Sequence, residues 1–313
     1  MASRIVARQL EKRFGHIHAV QGIDLEVPAG QVLGVLGPNG AGKSTTMRMI
    51  TGFLEPTAGS VTLDGIDLAA DPIAAKRTFG YLPEGAPAYG DMSVGAFLEF
   101  VGRLRGLDGA RRRERIGEMV HRLHLADVYG RRIETLSKGF KRRVGIAQAL
   151  LHDPDVLILD EPTDGLDPNQ KFEMRELIRA IAGEKAIVVS THILEEVEAV
   201  CTRAIIIARG RVLADATPTD LLSHAGIAQA IEVTVAADAH DRARDLIAQV
   251  AHVRTVETIG AVNGVVRLRV VGDGGRQIVT AVGAVLHAHD LPVEDLRMER
   301  GRLDAVFRQI TQR

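Results

Sequence analysis

Short, unbroken apolar runs mark the larger part of the chain. Val32-Leu33-Gly34-Val35-Leu36, Val156-Leu157-Ile158-Leu159 and Ala186-Ile187-Val188-Val189 show no polar alternation. Strands covered on both faces, as in a parallel sheet, have this pattern. Residues 5–25 alternate instead, which predicts short strands around a turn near Gly15-His16. Pro28-Ala29-Gly30 then turns the chain into the 32–36 strand. Ser60-Val61-Thr62-Leu63 and Gly65-Ile66-Asp67-Leu68 predict a strand and hairpin, residues 74–77 a helix, and residues 78–84 a strand stopped at Pro83. From 94 to about 128 the period becomes helical, with Phe97, Val101, Leu104 and Leu107 three or four residues apart. Residues 204–208 and 210–213 close the α/β portion with a strand or hairpin.

The composition shifts near residues 223–226. Beyond it, strands are expected at 231–236, 253–259, 265–271 and 293–298, with helices at 241–250, 276–287 and 302–310. The βαββαβ order predicts a small ferredoxin-like α+β unit over 226–313, following an α/β unit over 1–225. Glu294, Asp295 and Glu299 read as solvated charges.

The chain has 313 residues, enough for one large or two ordinary domains, and 46% hydrophobic and 25% charged residues fit a globular protein with a full core. A net charge of −1 gives no whole-molecule attraction to nucleic acid or anionic lipid, and no nucleic-acid partner is expected. Basic runs at 111–113, 131–132 and 141–143 read as solvated helix faces, with a docking surface as the alternative. Cys201 is the only cysteine, so neither an internal disulfide nor a multi-cysteine metal site is expected; it reads as a small buried apolar residue in a reducing cytoplasm. No run of about 18 apolar residues occurs and the start lacks a secretory apolar segment, so the chain is not expected to span a membrane by itself.

The candidate chemistry centres on Gly37-Pro38-Asn39-Gly40-Ala41-Gly42-Lys43-Ser44-Thr45. A buried strand precedes it and a helical run follows, the context that a G-x-x-x-x-G-K-[ST] phosphate loop requires. Glycines let several N–H groups converge, and the helix N-terminus adds positive potential. Lys43 is placed to reach the β- and γ-phosphates and the Ser44 hydroxyl to ligate Mg²⁺. Asp160 and Glu161 end the second apolar strand, where open α/β sheets bind ligands. Asp160 suits a Mg²⁺ partner and Glu161 a general base for an attacking water. His192 follows the third strand and faces the same crevice, within reach of a γ-phosphate. Phe14 reads either as a ring that stacks on adenine or as a core or strand phenylalanine.

Leu136-Ser137-Lys138-Gly139-Phe140-Lys141-Arg142-Arg143 is similar to the signature motif of ABC transporter ATPases, and it precedes the Asp160-Glu161 strand as in that family. Asp164-Gly165-Leu166-Asp167 resembles the D-loop and His192 the switch histidine. The resemblance covers residues 5 to about 220. It implies a P-loop NTPase of ABC type, with a RecA-like core, an antiparallel β subdomain and a helical subdomain. It also implies ATP and Mg²⁺ as ligands. Phe14 then matches the adenine-stacking aromatic, Lys43, Ser44 and Thr45 the phosphate and Mg²⁺ ligands, Asp160 the Mg²⁺-associated carboxylate and Glu161 the base. Ser137 and Gly139 would contact the γ-phosphate of ATP held by a second subunit, and Asp167 would organise the same interface. ATP would therefore close two chains, expected to be identical, face to face, and hydrolysis would release them. The implied partner is an integral-membrane permease, which places the chain in the cytoplasm against the inner face of the membrane.

Two departures stand out. Glu84 occupies a position that usually holds glutamine, and its carboxylate remains a ligand for Mg²⁺ or water. Lys138 and Phe140 replace the common glycine and glutamine of the signature. With Tyr81-Leu82-Pro83-Glu84, they resemble an export-type sub-group that includes the gliding-motility ATPase subunit; the tail Leu303-Asp304-Ala305-Val306-Phe307 is similar to tails of that sub-group. The competing reading is a soluble ABC-type ATPase acting on ribosomes, DNA or cluster assembly. Such translation factors usually carry two ATPase units, whereas this chain has a single phosphate loop. A non-hydrolysing ATP-gated scaffold is a third reading, opposed by the presence of Lys43, Asp160, Glu161 and His192.

Overall fold

The computed structural model describes residues 3–224, 230–262, 264–272 and 276–298. The chain divides into two compact units between Pro218 and Thr219. The first contains β1 (Ser3–Phe14), β2 (Ile17–Pro28), β3 (Val32–Leu36), α1 (Lys43–Ile50), β4 (Ala58–Leu63) and β5 (Ile66–Asp67). It continues with α2 (Pro72–Thr78), β6 (Phe79–Leu82), α3 (Val94–Leu104), α4 (Gly109–Arg122) and α5 (Lys138–Leu150). Then come β7 (Val156–Asp160), α6 (Pro168–Ile181), β8 (Ala186–Thr191), α7 (Leu194–Val200), β9 (Arg203–Ala208) and β10 (Arg211–Ala216).

The three unbroken apolar runs are β3, β7 and β8, and every residue of each is buried. They lie side by side in a six-stranded sheet of order β10-β9-β3-β8-β7-β6, parallel except for the β10 edge. Register fixes what meets at the carboxyl end. Leu36 stands beside Thr191, and Asp160 beside Ser190. The phosphate loop, Asp160-Glu161 and Thr191-His192 therefore leave the sheet at one edge of one crevice, where open α/β sheets bind ligands.

A second, antiparallel sheet has the order β2-β1-β4-β5. Its β1 and β2 are 12-residue strands with bulges, longer than the short strands expected. A single buried cluster joins Ile5, Leu10, Ile23 and Leu25 of this sheet to Met47, Met49 and Ile50 of α1 and to Val35, Ile158 and Val188 of the central sheet. The helical segment α3–α5 buries Phe97 and Val101, but Leu104 is 74% exposed, contrary to its helical spacing, because it lies on the wall of an open groove. Arg142 also departs from expectation. It is buried rather than solvated, its Nη2 donating to the Asp164 carbonyl at 3.5 Å. Cys201 is buried.

The second unit holds α8 (Pro218–His224, its first residue at the division), β11 (Ile231–Ala236), α9 (His240–Ala248), β12 (Val253–Val262), β13 (Val265–Gly272), α10 (Arg276–Ala288) and β14 (Val293–Met298). Its sheet is antiparallel, in the order β12-β13-β11-β14. That is the ferredoxin-like βαββαβ arrangement. Ile231, Val233 and Val235 pack with Ile247 of α9 and Val282 and Leu286 of α10 in its own core. Glu294 and Asp295 are exposed. The helix expected at 302–310, Glu299 and the 303–307 tail lie outside the described residues. Among the described residues, no helix is long and apolar enough to cross a membrane.

Candidate nucleotide site

The phosphate loop bends at Gly42, whose φ of 107° is the left-handed conformation that a Cβ disfavours; a Cβ there would also lie 2.8 Å from the Ala19 carbonyl. Gly42 caps α1 with no side-chain hydrogen bond, so the first N–H groups of the helix remain available to an anion. Lys43 is buried and donates from Nζ to the Gly37 carbonyl at 2.7 Å and the Pro38 carbonyl at 3.3 Å. Burial lowers its pKa, opposed by Glu161, Asp160 and Glu84 in that order. A cavity of about 200 Å³ is lined by the loop from Pro38 to Thr45, including Asn39, Gly40, Ala41 and Ser44, together with Glu84 and Glu161. Sequence reasoning had not singled out Ala19, which completes the wall from β2.

Asp160 is 1% exposed. Ser190 donates its hydroxyl to Asp160 Oδ1, and Oδ2 is buried with no partner. Burial raises the Asp160 pKa, and the Ser190 hydrogen bond opposes the rise. Glu161 has a φ of 49° and its N–H donates to Ser190 Oγ at 3.0 Å. The left-handed turn carries its carboxylate off the strand direction and into the cavity. His192 Nδ1 donates to Glu161 Oε2 at 2.9 Å, joining the ends of β7 and β8. Burial raises the Glu161 pKa, opposed mainly by His192. A carboxylate in this setting is a stronger proton acceptor than an exposed one.

The remaining candidates stand apart from this cavity. Phe14 ends β1 and is 47% exposed, with Lys12 Nζ 5.4 Å from the ring centroid. The ring is therefore not part of the core. Ser137 caps α5, accepting from the Phe140 N–H, and Asp167 caps α6, accepting from the Gln170 N–H at 3.0 Å. A Cβ at Gly139 would fall 2.5 Å from Gln170 Oε1, so the two helix starts touch there. Ser137, Gly139 and Asp167 are absent from the cavity wall of their own chain.

The parallel sheet, the loop and the acidic strand end define a P-loop nucleotide hydrolase. Residues 20–164 match the ABC transporter family. The linearmycin resistance ATP-binding protein LnrL of Bacillus subtilis (strain 168) is 32% identical over 308 residues, covering 98% of each chain. The daunorubicin resistance ATP-binding protein DrrA2 of Streptomyces coeruleorubidus is 36% identical over 309 residues, covering 97% of this chain and 94% of that one. A solved ATP-binding subunit of an ABC transporter aligns with a TM-score of 0.67 and 30% identity, over 72% of this chain and 94% of that chain. The chain belongs to the ATP-binding subunits of ABC transporters, which bind ATP and hydrolyse it to power transport.

Proposed function

We propose that the chain drives export through a separate membrane permease, two copies closing on ATP and opening after its hydrolysis. The observation that carries the catalytic part is the convergence of Lys43, Glu84 and Glu161 on one loop-lined cavity, with His192 bonded to Glu161. Glu161 accepts the proton of the attacking water as its oxygen bonds to the γ-phosphorus and the bond to the β-phosphate bridging oxygen breaks. Lys43 leaves its carbonyl partners for the phosphates, and His192 holds the base in place. Mg²⁺ fits the donor set of the Ser44 hydroxyl, the unpartnered Asp160 Oδ2 and Glu84. When bound, it neutralises charge on the β- and γ-phosphate oxygens. Ser137, Gly139 and Asp167 serve the nucleotide of the other copy, and Phe14 offers a half-exposed ring for the adenine, with Lys12 beside it. Glu84→Gln should keep basal hydrolysis but alter its coupling to the permease.

An open groove of about 810 Å³ is our candidate seat for the permease. Phe53, Ile73 and Leu104 line it and are at least 69% exposed, and Lys76, Arg77 and Arg105 share the wall. An amphipathic helix of the membrane subunit with an acidic residue matches these apolar and basic groups. The permease would hold the chain against the inner face of the membrane. The similarity to drug-resistance proteins supports export, and Lys138, Phe140 and residues 81–84 support the gliding-type sub-group. Assaying the purified chain tests the catalytic reading. Lys43→Ala is expected to lower the rate by roughly 10²–10³, and chelation of Mg²⁺ should abolish turnover. Full activity in Lys43→Ala, or in excess chelator, would overturn it.

A further inference from the structure

Glu161 and His192 lie on turns from different strands, so their 2.9 Å contact needs something to hold those turns together. The Glu161 backbone is pinned to Ser190, the Asp164 N–H donates to the Glu161 carbonyl at 3.2 Å and the Ile193 N–H to Thr191 Oγ1, but none of these bonds ties residues 162–164 to residues 192–193. Glu196, in the first turn of α7, occupies the gap between them. It is 4% exposed, and its two carboxylate oxygens go to different turns. Thr163, two residues past Glu161, donates its hydroxyl to Oε1. Thr191, immediately before His192, donates to Oε2 at 2.8 Å. Thr191 Oγ1 in turn accepts the Ile193 N–H at 3.0 Å, so its one hydrogen is committed to Glu196 and the backbone on both sides of His192 is tied to the fork.

We propose that Glu196 is a positioning residue for hydrolysis: its carboxylate bridges Thr163 and Thr191 and thereby holds the Glu161–His192 pair at bonding distance. The inference rests on the reading of Glu161 as the base. Thr163 and Thr191 are 3% and 0% exposed, so in the native chain both hydroxyls donate to Glu196 rather than to solvent. The cavity beside the fork, about 10 Å³ and lined by Pro162, Arg175 and Val189 among others, has scarcely room for one water. Loss of the carboxylate would leave two buried hydroxyls unmatched and let the turns part. Misplacing a catalytic group by about 1 Å costs on the order of 10²-fold in rate. Nucleotide binding depends on the phosphate loop, which the fork does not touch.

The test is steady-state ATP hydrolysis by the full chain carrying Glu196→Ala, Thr191→Val or Thr191→Ser. In Glu196→Ala and Thr191→Val, kcat should fall roughly 10–100-fold with KM for ATP within about twofold of the parent. Thr191→Ser, which returns the hydroxyl, should recover most of the loss. Adding Glu196→Ala to Glu161→Gln should cost nothing further, because the fork acts through Glu161. Parental kcat in folded Glu196→Ala, or a full additional loss in the double variant, would overturn the proposal. If Glu196→Ala does not fold, equal rates for Thr191→Val and Thr191→Ser would do so. Normal turnover of Glu161→Gln alone would instead defeat the base assignment, a separate failure.

Discussion

At the residue scale, the proposed site holds polar side chains in buried places with few partners. Asp160 has one oxygen matched by Ser190 and one left free, and Lys43 waits on two loop carbonyls. His152 shows the same physics away from the site. Its Nε2 donates to the Phe79 carbonyl at 3.2 Å and its Nδ1 is buried with no partner. Burial, with Arg105 adding to it, pushes its pKa down from 6.5 to about 4. Between those values the unfolded chain binds a proton that the native chain refuses, so this contribution to stability is lost as pH falls through that window. Urea midpoints at pH 7 and pH 5 are expected to differ less in His152→Gln than in the parent. An unchanged difference would show that folding does not lower the His152 pKa. The motif residues were legible because their types and spacing are tied to phosphate chemistry. Glu196 and Ser190 were not, since one of three glutamates in a short helix and a serine in an apolar strand carry no spacing signal.

At the element scale, β3, β7 and β8 were legible because burial on both faces removes any polar alternation. The order β9-β3-β8-β7 was not, because pairing between distant strands leaves no local mark. Leu104 shows the complementary limit. Helical spacing marks a face as apolar without saying whether this chain or another covers it. The groove formed where α2, β6 and α3 meet is such a face. Leu104→Glu places a charge on its wall and is expected to lose co-purification with the membrane subunit that the chain drives. Undiminished recovery of that subunit would rule out the groove as its seat.

At the scale of the whole molecule, the division at Pro218 separates the nucleotide site from a unit that has its own core. We expect a chain ending near Asp220 to fold and bind ATP with about the affinity of the parent, while the lifetime of its closed dimer changes; a folded truncation unable to bind ATP would refute the two-domain reading. Hydrolysis is expected to need two such chains, since Ser137, Gly139 and Asp167 are absent from the wall of their own cavity. Glu161→Gln keeps the shape of the base and removes its charge. The most direct measurement is the mass of this variant in solution, by light scattering, with and without ATP and Mg²⁺. A monomer is expected without nucleotide and a stable, ATP-loaded dimer with it. A variant that binds ATP yet stays monomeric, or that turns ATP over at the parental rate, would contradict it.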